Sequence, residues 1–215
     1  MKKLTLAAAL AASAFAMGAN AGTHSTTLDI TGKIIPAACA ISTDSAGGTI
    51  DFGTILSAEL TNSRFIKKKT TSLSINCETE TTALVKVTGS NGADDNNLFF
   101  KTDKDFATYG VVVKNFTVDG GNATNVPLVT KTAQDVVDMN SLNSTTFKKT
   151  TAGATFPGHG QYFGAAATDS TVGTFKTLTA ELGVTAVIDS EKAKTAVKGG
   201  EQTFSSMVTF ELNYL

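Results

Sequence analysis

The stretch Phe204–Leu215, FSSMVTFELNYL, alternates along its length. Even positions from Phe204 read Phe, Ser, Val, Phe, Leu and Tyr, nearly all apolar or aromatic. Odd positions read Ser, Met, Thr, Glu and Asn, nearly all polar. Period two marks a strand with one buried face. A helical stripe from the same start would carry Glu211 on its apolar side, so the helix template fails. An apolar strand with an unpaired edge invites pairing by other chains, so something must cover this one.

At the other end, Lys2 and Lys3 precede an apolar run from Leu4 to Met17 and then Ala19-Asn20-Ala21. That is a charged region, an apolar region and a small-x-small cleavage site, the form of a secretory signal over 1–21 cut after Ala21. The apolar run is shorter than the ~20 residues a membrane span needs. Without Lys2 and Lys3 the mature chain has 16 basic and 19 acidic side chains, a net charge of −3. That balance offers no basic excess for nucleic acid or anionic lipid. Abundant Thr, 19 Gly and no Trp point to an all-β domain. A chain of 215 residues is long enough to bury its core as one sandwich.

Cys39 and Cys77 are the only cysteines. An even pair in an exported chain predicts a disulfide. With no CxxC and only His24 and His159 available, a metal site is the poorer reading, and no cofactor is expected.

Alternating runs recur over 26–35, 49–55, 71–78 and 83–89, each read as a separate short strand. GVVVKNFTV (110–118) is continuous enough to predict a strand buried on both faces. TLTAELGVTAVI (177–188) predicts a strand or hairpin, and Gly199-Gly200 opens the last strand. A short helix is expected over 132–142 and a surface loop over 150–170.

Catalytic chemistry has little to stand on, and the chain is expected not to be an enzyme. His159 lies in PGHGQYFG without a GxSxG nucleophile, and reads as a loop imidazole facing water. The glycines there miss the dinucleotide spacing. Asp94, Asp95, Asp103 and Asp105 miss the calcium-loop spacing and read as a solvated loop. Lys67-Lys68-Lys69 reads as a strand edge or loop that repels pairing.

These parts together resemble the subunits of chaperone–usher (type 1-like) fimbriae. ITGKIIPAAC (30–39) resembles the family's approach to its first cysteine, IDFGTI (50–55) the segment after it, and LSINC (73–77) the run into the second. Gly200 and the penultimate Tyr214, with alternating apolar residues between, resemble the family's ending. The resemblance implies an incomplete immunoglobulin-like β-sandwich, a pilin domain over 32–215, preceded by a donor-strand extension over 22–31. Thr26, Leu28 and Ile30 would be the donor residues, although family members often carry Gly near the Thr26 position. Gly200, Phe204, Val208, Phe210, Leu212 and Tyr214 would form the acceptor groove and chaperone-binding edge. The implied partners are a periplasmic chaperone, an outer-membrane usher and further subunits in a head-to-tail fibre on the cell surface. A minor or tip-proximal subunit with receptor-binding loops in 90–170 is the alternative.

Overall fold

The computed structural model describes residues 38–44, 48–122, 127–129, 147–149, 154–168 and 171–215. The signal, Thr26, Leu28, Ile30, the strand expected over 26–35 and the helix expected over 132–142 lie outside the described residues.

The chain is all-β. Its organising element is β2, a 26-residue strand from Arg64 to Gly89. Two runs read as separate strands, and the lysine triplet before them, are one continuous element. Leu73, Ile75 and Cys77 are buried in its first half, and Val85 and Val87 in its second. Exposed Glu78, Thr79 and Glu80 lie between the halves. There β10 (Thr174–Asp189) slips register: Phe175 faces Thr81 while Thr177 faces Asn76. The extra β2 residues bend the strand out of one sheet and into a second, as bulges do.

The first half of β2 is flanked by β1 (Cys39–Thr43) on one side and β10 on the other. Beyond β10 lies β4 (Ala107–Val118), bordered by β3 (Phe100–Lys101), β5 (Gly121–Asn122) and β8 (Ala154–Thr155). The second half is flanked by β11 (Val208–Tyr214) and by β9 (Tyr162–Gly164). β6 (Pro127–Val129) joins β9, and β7 (Phe147–Lys149) joins β6. Both halves pack on one core, which holds Leu73, Val85, Phe100, Val113, Phe163 and Leu178. Each such side chain, fully buried, contributes ~1.5–3 kcal/mol.

Several expectations change. Residues 162–164, expected within a surface loop, form a fully buried strand that shares β2's ladder. β4 is not buried on both faces, because Val112 is half-exposed where Val111 and Val113 are buried. Residues 177–188 are one strand, not a hairpin. Residues 49–56 make no strand, yet Ile50 and Phe52 still pack on the core. A helix, α1 (Ser190–Ala196), follows β10, with the Asp189 carboxylate accepting from the N–H groups of Glu191 and Lys192. The lysine triplet lies on β2 at 67–69, where β10 pairs one side and no described strand pairs the other. That placement matches the edge expected of it.

His159 does not simply face water. Its Nδ1 accepts from Gly89 N–H at 3.1 Å, in line with Gly160 and Gln161, which bond Val87. Asn97 grips the same residue twice, accepting from His159 N–H at 3.0 Å and donating to its carbonyl at 3.1 Å. The imidazole extends a strand ladder past the point where the backbone turns away. His159→Ala should therefore cost roughly 1 kcal/mol through the unpaired Gly89 N–H, read from urea midpoints.

Candidate functional site: an open groove between β1 and β11

β11 forms because its apolar residues alternate in phase with β2. Val208 faces Gly89, Phe210 faces Val87 and Leu212 faces Val85. All three are half-buried and pack on the core, while Thr209 and Glu211 point outward. β1 does the same on the first sheet, with Cys39 and Ile41 half-buried against the core. β1 sits across β2 from β10, and β11 sits across β2 from β9. Each therefore presents an outer edge that no described strand pairs. Ile50 and Phe52 add to the same partly covered apolar surface.

The two edges meet at one end, where Cys39 N–H donates to Tyr214 Oη at 3.2 Å. β1 runs away from this contact and β11 runs toward it. A strand laid between them would be antiparallel to one wall and parallel to the other. It would find main-chain donors and acceptors on both sides and an apolar floor beneath.

β1 is fastened at both ends. Cys39 and Cys77, directly opposite in register, form the expected disulfide. At the far end the Asp44 carboxylate accepts from Thr71 Oγ1 and from Ser72 N–H at 2.6 Å. Those bonds hold the carboxyl at about 2, below its ordinary value of 3.8, with the Thr71 hydroxyl the largest cause. A carboxylate depressed in the fold stabilises fully above the unfolded value and loses that contribution as pH falls through the folded one. Between pH 4 and 2 the wild type should lose stability that Asp44→Asn lacks. Urea unfolding of both proteins across that range checks it.

Not every residue expected at the groove reaches it. Phe204 precedes β11, which starts at Val208, and stacks edge-on against Phe106 at 6.4 Å in a second cluster with Leu60 and Ile188. Polar contacts divert residues 201–207 from the ladder. Asp103 and Ser205 exchange main-chain and carboxylate bonds, and Ser90 Oγ accepts from Met207 N–H. Tyr109 Oη donates to the Met207 carbonyl and accepts from Ser206 Oγ, both at 3.3 Å. Burial pushes the Tyr109 phenol upward despite the Ser206 bond. Gly200 does not open the strand. It ends the 3-10 turn after α1 with φ at +122°, a conformation side chains disfavour, though a Cβ there would meet open space. Val208, Phe210, Leu212 and Tyr214 do line or border the opening. Ile41, Ile50 and Phe52 belong with them, and only their shared apolar phase marked them in the sequence.

Among the described residues no group of three or more His, Cys, Asp or Glu is placed to hold a metal. The site is therefore defined by main-chain edges and apolar side chains, which is a binding geometry.

A family model described as a protein of unknown function (DUF1120) matches residues 28–134, just under half of the chain. No curated protein matches. Among solved structures, the chain is similar to one titled the crystal structure of the P pilus rod subunit PapA. The identity is 15%, the match covers 89% of this chain and all of that one, and the TM-score is 0.40.

Proposed function

We propose that this protein is a structural, non-catalytic subunit of a bacterial surface fimbria, assembled by donor-strand exchange and contributing to cell adhesion. The observation that carries the reading is the pair of unpaired edges, β1 and β11, bordering one partly covered core and tied together at one end. Strand addition to such an edge draws affinity from main-chain hydrogen bonds and specificity from alternate side chains. Before assembly a periplasmic chaperone fills the groove; at an outer-membrane usher the segment 22–31 of the next subunit replaces it. Thr26, Leu28 and Ile30 alternate as an inserted strand must. Burying Leu28 and Ile30 would supply ~1.5–3 kcal/mol each. Donor at one end and acceptor at the other make a heterologous contact, which propagates as a fibre.

The reading is tested by producing the chain in the periplasm with and without a fimbrial chaperone. Alone it should be degraded or aggregated; with the chaperone it should be recovered as a one-to-one pair. Removing residues 22–31 should leave that pair intact and stop fibre growth. Polymerisation of the shortened chain would show that the donor role is wrong.

A further inference from the structure

A second concave site lies away from the groove, on the outer face of the first sheet. The loop over 94–99 curls across this face and closes a pocket of about 320 Å³ whose walls include Arg64, Asp94, Asn96, Phe99, Asp105 and Asp189. Such a volume is at the lower end for small-molecule sites. The loop is held firmly. Asp94 accepts from the N–H groups of Leu98 and Phe99 at 2.9 and 3.2 Å and donates its own N–H to the Phe99 carbonyl. The Phe99 ring lies close over Gly110, 3.2 Å from where a Cβ would stand. The Asn97–His159 clasp anchors the loop from the other side.

Arg64 is the only arginine in the sequence, against 17 lysines. It stands at the start of β2, opposite Asp189 in register, and its guanidinium makes no hydrogen bond or ion pair with any described residue. A guanidinium is a planar fork of five donors that lysine cannot reproduce. The carboxylates are partly committed: Asp189 to the helix N-terminus, Asp94 to its own loop, and Asp105 to Lys192 at 3.5 Å. Their remaining oxygens are acceptors only.

Elimination on charge narrows the ligand. An anion would meet three carboxylates, and a cation would meet Arg64. A purely apolar ligand would bury the fork and the carboxylates without partners, which costs affinity. A neutral molecule carrying hydroxyl groups on a partly apolar ring satisfies all of them. Its hydroxyls donate to carboxylate oxygens and accept from Arg64 and Asn96, while its C–H face rests on Phe99. We infer that this pocket binds a neutral saccharide. The inference does not depend on the groove reading, since the pocket is built from the other face of the sheet.

The test uses the full chain, with its groove filled by whatever partner keeps it soluble. Saturation-transfer NMR is run with methyl glucoside, galactoside and mannoside, and with glucuronate as the acidic probe. At least one neutral glycoside should show transfer, and Arg64→Lys, which keeps the charge and loses the fork, should weaken it tenfold or more. Asn96→Ala should weaken it as well, with both variants unfolding at the wild-type midpoint. No transfer from any neutral glycoside, transfer unaffected by Arg64→Lys, or preference for glucuronate would each overturn the inference.

Discussion

Replacing both Cys39 and Cys77 with Ser should destabilise the domain by about 4 kcal/mol, because the bond closes a sequence separation of 38 residues in the unfolded chain. That is a large share of the ~5–15 kcal/mol that holds a typical domain together. The loss should also be local. β1 is hydrogen-bonded to a neighbouring strand on one edge only, and the disulfide sits at the end where Tyr214 meets Cys39. Without it, Asp44 alone fastens the strand, and amides over 39–43 should exchange faster than those of β10. Urea unfolding gives the global figure and hydrogen exchange the local one. A difference under about 1 kcal/mol, with β1 still protected, would mean that packing alone fixes this wall of the groove.

Phe163→Ala should cost about 3–5 kcal/mol, the range for a fully buried aromatic truncated to leave a cavity. Phe163 is inaccessible at the centre of β9, paired with Val85 and packed on the common core. Phe156, a few residues earlier in the same run, is 58% exposed, and Phe156→Ala should change stability by no more than about 0.5 kcal/mol. The contrast separates a buried strand from a surface loop within one short segment. Equal effects of the two substitutions would contradict the placement of β9.

Where the local pattern and the tertiary environment agree, the sequence was readable. β11 alternates because one face meets the core and the other meets solvent, so Val208, Phe210 and Leu212 announced themselves. The cysteine pair was legible for a similar reason, since export and an even count leave few other uses. Residues 162–164 were not legible. The three-residue run YFG is too short to show a period, and its flanking glycines read as loop. It becomes a strand only because β2 offers an edge, and no local signal reports that edge. The unity of β2 was hidden by Glu78–Glu80, whose polar run reads as a connection and is a bend within one strand. Phe204 misled in the opposite direction. It continues the alternation of β11, but Asp103, Ser90 and Tyr109 pull the preceding segment aside. Helix α1 did carry a signal, Asp189 before Ser-Glu-Lys-Ala, which is an N-cap followed by good helix formers.

The central claim is that the opening between β1 and β11 takes an extended segment from another copy of the chain. The most direct measurement places Cys at Leu28 and, in three separate variants, at Val208, Phe210 or Leu212, and lets fibres form in the oxidising periplasm. The account predicts a covalent ladder of multimers on non-reducing gels for at least one pair. The ladder should require both new cysteines and collapse on reduction. Monomers alone, whether uncrosslinked or closed within one chain, would contradict it.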